Sequence, residues 1–293
     1  MYKQILFPTD ENDGSEAPLD HALDIAAAHG ATVHLLNVAD TTRTSTTRIQ
    51  GQIVDTLEQK GEEIVEEAAD RAEQRGIDAI TEVVQGEPYG TILEYADARD
   101  IDLIVMPTHG RQGLDRYLLG STTERVVRRS DVPVLTIPLN ADATIEYPYR
   151  DVLVPTDGSD CADHALELGV DVATTEAAAL HLLSVISLTT LGAELGSVPH
   201  ATTATERAEE LIEDAVTFAE DAGIESVSGT VERDSSVSRA VLSYVDEQGI
   251  DLVVVGTHGR TGFDRYVLGS VAEQLVRTAP VPVLTVRGPE REK

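Results

Sequence analysis

Gly256-Thr257-His258-Gly259 is followed, after nine residues, by Gly269-Ser270, and a near copy stands earlier as Pro107-Thr108-His109-Gly110 and Gly120-Ser121. Glycine lets a backbone approach a ligand closely and leaves bare N–H groups to meet it. Ser270 with Glu273, and Ser121 with Glu124, read as capping boxes opening a helix, the serine oxygen accepting from a first-turn amide. A helix that starts there presents N–H groups and a positive dipole, which is the chemistry of a phosphate site. His109 and His258 follow threonine in the two loops, placed either to approach a phosphate or to brace the turn. Asp10 and Asp157, in the repeated Pro8-Thr9-Asp10 and Pro155-Thr156-Asp157, follow strand patterns and can meet a sugar hydroxyl or form a turn.

Charge near the loops agrees with an anionic ligand. From His109 to Arg129 the basic residues are Arg111, Arg116, Arg125, Arg128 and Arg129, against Asp115 and Glu124. From His258 to Arg277 the excess is smaller, Arg260, Arg265 and Arg277 against Asp264 and Glu273. Other chemistries find no support. There is no Gly-x-x-x-x-Gly-Lys-Ser/Thr, and no Gly-x-Gly-x-x-Gly follows the first strand. No set of nucleophile, base and orienting group recurs in both copies, no His/Cys cluster offers a metal site, and the lone Cys161 permits no intrachain disulfide.

The elements that must hold these loops are themselves duplicated. Ile101 to Ser121 aligns without gaps on Ile250 to Ser270 with 15 of 21 positions identical. His34-Leu35-Leu36-Asn37-Val38 echoes His181-Leu182-Leu183-Ser184-Val185, and Val132-Pro133-Val134-Leu135 echoes Val281-Pro282-Val283-Leu284. The chain of 293 residues is one domain written twice, over 1–140 and 149–288, joined by the polar segment from Pro138 to Tyr149. In each copy short apolar runs, such as Gln4 to Pro8 and Thr32 to Val38, alternate with helical patterns, among them Ala17 to His29 and a long helix from Arg48 to Arg75. Continuous apolar strands alternating with helices imply a doubly wound α/β domain with a parallel sheet of five strands. Ligands of such sheets bind beyond the carboxyl ends of the strands, where strand order reverses. Both the Pro-Thr-Asp turn and the glycine loop leave such ends.

These motifs in register resemble the universal stress protein family in its tandem, two-domain form, over nearly the whole chain. The resemblance implies a Rossmann-like fold of the adenine nucleotide alpha hydrolase-like type, with strand order 3-2-1-4-5. It implies ATP as ligand in one branch of the family, with Mg2+ if the nucleotide is turned over, and pairing of domains through their last strands. By position, Asp157 would bond the ribose or adenine side and the Val185 backbone would read adenine. Gly256, Gly259, Gly269, Ser270 and the Val271 amide would hold ribose and phosphates, beside Pro155 and His258. The matching positions in the first domain are Pro8, Asp10, Val38, Gly110, Gly120, Ser121 and Thr122. Pro107 replaces the first glycine there, and its missing N–H makes the second domain the expected stronger site. Ser235-Ser236-Val237 replaces the Gly86-Glu87-Pro88 turn and reads as loop variation away from the phosphates. The leading expectation is thus an ATP-binding stress or regulatory protein. Its rivals are a slow ATP hydrolase or phosphotransferase, and an interaction module that binds no nucleotide. The expected pairing is an internal pseudo-dimer. Further homodimerisation is compatible with it but rests on no specific residue.

Composition sets the setting. A net charge of -30 from 52 carboxylates against 22 basic residues opposes nucleic acid and anionic membrane as partners. With no apolar run near membrane-spanning length and a single cysteine, the expectation is a soluble, cytoplasmic protein. Only three of the basic residues are lysines, Lys3, Lys60 and Lys293, and the acidic excess resembles proteins of salt-accumulating, halophilic archaeal cells. At about 1 M salt the Debye length falls to about 3 Å and carboxylate self-repulsion is largely removed. The melting temperature should therefore fall as salt is withdrawn toward about 0.1 M; a scanning-calorimetry series showing no dependence on salt would contradict this reading of the surface.

Overall fold

The computed structural model describes residues 2–10, 16–40, 46–49, 52–108, 119–139, 145–188, 199–259 and 268–288. The chain forms two compact units, Met1–Ala141 and Asp142–Lys293. The first contains β1 (Gln4–Thr9), α1 (Glu16–His29), β2 (Thr32–Asp40), β3 (Thr46–Ile49), β4 (Gln52–Asp55), α2 (Thr56–Gln74), β5 (Ala79–Gly86), α3 (Pro88–Ala98), β6 (Leu103–Pro107), α4 (Ser121–Arg129) and β7 (Val134–Ile137). The second contains β8 (Asp151–Pro155), α5 (Asp160–Glu176), β9 (Ala179–Ser187), α6 (Pro199–Asp221), β10 (Val227–Asp234), α7 (Val237–Gln248), β11 (Leu252–Gly256), α8 (Ser270–Thr278) and β12 (Val283–Val286).

Within the first unit the strands run β5-β2-β1-β6-β7, and within the second β10-β9-β8-β11-β12, all parallel. Each is the order 3-2-1-4-5, reversing between the first strand and the fourth. The central strands explain why the sheet sits inside. Ile5, Leu6, Phe7, Ile104 and Val105 are fully buried, as are Val152, Leu153, Val154, Val253 and Val254. Strands apolar on both faces need cover on both, and the intervening helices supply it. At the amino ends a single carboxylate ties the first strand to the fourth in each unit. Asp102 Oδ2 accepts the N–H groups of Lys3 and Gln4 at 2.7 and 2.9 Å, and Asp251 Oδ2 those of Arg150 and Asp151 at 2.7 and 3.1 Å.

One element departs from the sequence reading. The helix expected from Arg48 begins at Thr56, preceded by the antiparallel pair β3–β4. Thr46, Thr47, Ile49, Ile53 and Val54 explain the change, because β-branched side chains lose rotamer freedom in a helix and favour strands. The glutamate-rich stretch after Thr56 keeps its helix, with Val65, Ala68 and Ala72 buried.

Packing of α2 on the sheet is tight at Gly61. A β-carbon at Gly61 would lie 2.6 Å from Asn37 Oδ1 and 2.9 Å from Val83 Cγ1. Asn37 is 7% exposed and its Nδ2 donates to the Thr9 carbonyl at 2.9 Å, so it has little freedom to yield. In the second unit Ser184 stands at the Asn37 position, and Ala208 stands as far before Gly223 as Gly61 before Gly76. The smaller strand residue accompanies the larger helix residue. Gly61→Ala alone should destabilise the protein by about 1–3 kcal/mol despite alanine's better helix propensity. Adding Asn37→Ser should recover most of the loss, and denaturant unfolding of both single variants and the double variant tests the coupling.

Candidate functional site

The carboxyl ends of β1, β2 and β6 open into a cavity of about 600 Å³ in the first unit. Pro8, Thr9 and Asp10 come from the end of β1, and Leu36 to Asp40 from the end of β2. Met106 and Pro107 close β6, and Gly120 to Thr123 open α4. The far wall is Leu57, Lys60, Gly61 and Ile64 of α2, with Pro88 and Ile92 of α3. Six residues singled out in the sequence, Pro8, Asp10, Val38, Gly120, Ser121 and Thr122, thus line one space at the point where strand order reverses. His109 and Gly110 lie outside the described residues.

The helix entrance is built differently from the expected capping box. Gly120, not Ser121, is the N-cap, and no side chain caps the first turn. The Gly120 N–H donates to the Thr108 carbonyl at 2.8 Å, and the Thr108 N–H to Ile137 at 3.0 Å. This staples the helix start to the sheet through backbone alone. Ser121 is then the first helical residue, too far along to cap. Glu124 turns forward to Arg128 four residues on instead of back to the N-cap. The second unit repeats the correction. Gly269 caps α8, its N–H reaches the Thr257 carbonyl at 2.8 Å, and Glu273 pairs with Arg277 at 2.8 Å. Without a capping side chain, the first-turn amides are left for a ligand to meet.

Pro107 is less of a defect than its missing N–H suggests. It ends β6 opposite Ile137, and its carbonyl accepts from Thr123 Oγ1 at 3.0 Å. In the second unit the corresponding residues are Gly256 and Ala272. Gly256 is required there by packing: a β-carbon would lie 2.6 Å from the Cys161 carbonyl oxygen and 2.9 Å from its Sγ. The two domains therefore support this strand end differently, one with a Thr123–Pro107 hydrogen bond, the other with Gly256 packed against Cys161.

In the second unit Pro155 ends β8 and Val185 lies in β9. Asp157 Oδ1 accepts the Ser159 N–H at 3.1 Å in a turn that leads to α5. Its other oxygen would be 2.9 Å from a β-carbon on Gly259, so the structure brings Asp157 and Gly259 together. His258 Nδ1 lies 3.0 Å from Thr257 Oγ1, a bond that braces the loop. Ser270 and Val271 form the first turn of α8, while residues 260–267 lie outside the described residues. Burial, and then the charges of Asp160, Asp157 and Glu167, raise the Asp163 carboxyl above its ordinary range.

The comparisons with known proteins decide the relationship. Residues 1–138 and 148–287 each match the universal stress protein family. This chain belongs to the universal stress protein family. A universal stress protein of Mycobacterium tuberculosis, Rv2005c, is 31% identical over 239 residues, covering 78% of each chain. Another, MJ0531 of Methanocaldococcus jannaschii, is 36% identical over 140 residues, 47% of this chain and 82% of that one. The crystal structure of a universal stress protein from Archaeoglobus fulgidus superposes with a TM-score of 0.74 at 25% identity, covering 99% of this chain and 97% of that one.

For this universal stress protein the sequence missed Asn37, Lys60, Pro88 and Thr123 at the cavity. Lys60 carried a signal, as one of three lysines in the chain. Pro88, whose turn the sequence places away from the phosphates, lines the far wall of the cavity. The described arginines of the first basic stretch are engaged at the surface: Arg125 with Glu87 at 2.9 Å, Arg128 with Glu124, and Arg129 with the Tyr89 hydroxyl at 3.2 Å. Thr123→Val should cost about 1–3 kcal/mol by leaving the Pro107 carbonyl without its donor in a buried corner. Thermal and urea unfolding against wild type measure it.

Proposed function

We propose that this universal stress protein binds an adenine nucleotide, ATP, at the carboxyl ends of its strands, and works as a nucleotide-dependent stress or regulatory protein. The observation that carries the proposal is the cavity of about 600 Å³ in the first domain, closed on one side by a helix entrance with no side-chain cap. Its volume lies within the range of about 300–1,000 Å³ usual for small-molecule sites. In this reading the amides of Ser121 and Thr122 hold the phosphates, with the helix dipole behind them. Val38 and the apolar residues Leu36, Leu57 and Ile92 flank the base, and Asp10 meets the ribose. Lys60 adds positive charge at the wall. The second domain would use Asp157, Val185, Gly259, Gly269, Ser270 and Val271 in the same roles. Sequence alone favoured that domain. Pro107 nonetheless takes part in the first site's framework through its carbonyl, which accepts from Thr123 Oγ1, so the first domain is proposed as a site as well. Mg2+ would accompany the triphosphate as a counter-ion.

The two domains are further proposed to pair through their final strands, Val134–Ile137 and Val283–Val286. Short apolar strands at a sheet edge require a partner or cover, and slow amide exchange at Thr136 and Thr285 in the full chain would be its signature.

Calorimetric titration with ATP at high salt tests the nucleotide site, alongside a turnover assay. Gly120→Val should weaken binding to the first domain about tenfold or more by filling the helix entrance, and Gly269→Val should do the same for the second. Binding without hydrolysis fits the proposal, and sustained hydrolysis moves the assignment to a slow ATPase. Affinity unchanged by both substitutions overturns the site.

A further inference from the structure

Each domain carries a second polar cluster at the opposite, amino-terminal end of its strands, built on the repeated histidines His34 and His181. In the first domain His34 is 3% exposed, with Nδ1 2.9 Å from the Tyr95 hydroxyl and Nε2 2.7 Å from Gln4 Oε1. Burial, and then the Arg99 charge, hold its pKa below the ordinary value against the Glu82 charge. In the second domain the histidine and tyrosine are kept and two neighbours change. Asp151 replaces Gln4, and its Oδ1 lies 3.1 Å from His181 Nε2. Ser228 of β10 stands beside His181 in register, where β5 places Ile80 beside His34, and its Oγ lies 3.1 Å from His181 Nδ1.

These substitutions convert a structural histidine into one with a chemical direction. An ionised carboxylate can only accept, so Asp151 assigns the ring proton to Nε2 and leaves the Nδ1 lone pair facing the hydroxyls of Ser228 and Tyr244. Asp151 is itself held, because the Asp251 carboxylate accepts its backbone N–H. Tyr244 lies 3.2 Å from the same Nδ1 and edge-on to the ring, which fixes the imidazole plane. Ser228 is exposed on the outermost strand of the domain's sheet, within reach of a reagent. A hydroxyl on the free nitrogen of an imidazole whose other nitrogen is bound to a carboxylate is the arrangement that activates a serine.

We propose that Ser228 is a nucleophile activated by His181, with Asp151 as positioning residue, and that it takes the acyl group of small, unhindered carboxylic esters. Ser228 Oγ attacks the ester carbonyl carbon while its proton passes to His181 Nδ1. The tetrahedral adduct collapses with cleavage of the carbon–alkoxy bond, and the departing alkoxide takes that proton to leave as alcohol. Water then attacks the acylated serine by the same proton route, releasing the carboxylic acid and restoring Ser228. The Tyr244 hydroxyl, displaced from Nδ1 when the ring is protonated, is a donor for the charge on the attacked oxygen. Strand direction separates this site from the nucleotide cavity, so it stands independently of ATP binding.

A fluorophosphonate probe tests the proposal on the full chain, since it loses fluoride and leaves a stable phosphonyl ester that peptide mass spectrometry can locate. The expected result is one adduct on Ser228, formed in folded protein and not in urea-unfolded protein, with hydrolysis of 4-nitrophenyl acetate lost in Ser228→Ala. His181→Gln should slow labelling on the order of a hundredfold or more. Asp151→Asn restores the kind of amide acceptor that the first domain carries at Gln4, so folding is preserved. It should lower the maximal labelling rate while leaving the half-saturating probe concentration unchanged. Labelling of Ser228 no faster than in unfolded protein, or a maximal rate indifferent to Asp151→Asn, overturns the assignment.

Discussion

Thr108 and Thr257 are each gripped through the backbone from two sides. The N–H of each donates to the last strand of its domain, at Ile137 or Val286, and the carbonyl of each accepts from the glycine that opens the following helix. The start of α4 or α8 is therefore fixed to the sheet by main-chain bonds alone, and no side chain is spent on the first-turn amides. Everything proposed for the nucleotide site depends on this economy. Had serine been the N-cap, its oxygen would have occupied an amide that a phosphate needs. Glycine in the cap position keeps the turn close to the strand and leaves the helix end open to the cavity.

The duplication lets the two domains serve as controls for each other. Their sheets share one strand order and their helix entrances one geometry, yet the supporting contacts differ in matched sets. Asn37 with Gly61 becomes Ser184 with Ala208, and Pro107 with Thr123 becomes Gly256 with Ala272. The change of Gln4 and Ile80 to Asp151 and Ser228 alters chemistry rather than packing. Close packing accounts for the first exchange, because an interior near crystalline density cannot gain a methyl group at one position without giving it up at a neighbour. The third joins an exposed sheet-edge position to the amino end of the first strand, where substitution alters the chemistry of a half-buried histidine.

Charge acts on a different scale. A surface with 52 carboxylates against 22 basic residues repels anions at long range, so binding a polyphosphate must rely on short-range donors. Backbone amides at a helix entrance suit that setting, since their partial charges are fixed and weakly screened. The exposed arginines near α4 are largely engaged with Glu87, Glu124 and Tyr89. Arg71 and Arg75 likewise bind Asp20 of α1 at 2.8 and 2.9 Å, joining the end of α2 to α1.

What the sequence determined by itself was whatever depends on periodicity and local chemistry. The tandem repeat, the parallel α/β class and several residues of the first cavity's lining were legible, because apolar strand runs and glycine loops carry their meaning over a few residues, while the order 3-2-1-4-5 came from the family resemblance. The sequence also placed Asp10, Val38 and Ser121 on separate strand ends and a helix start. Only the fold could show that they face one space with Lys60 and Pro88. Helix boundaries misled at Arg48, where β-branched residues outweighed an apparent helical pattern, and at Ser121, where the N-cap differs by one residue. Motif spacing could not tell these apart, because a capping box and a glycine cap share the same letters. The Ser228–His181–Asp151 line was invisible for a plainer reason: its members lie on three strands, 30 and 47 residues apart, and only the register of a parallel sheet sets them side by side.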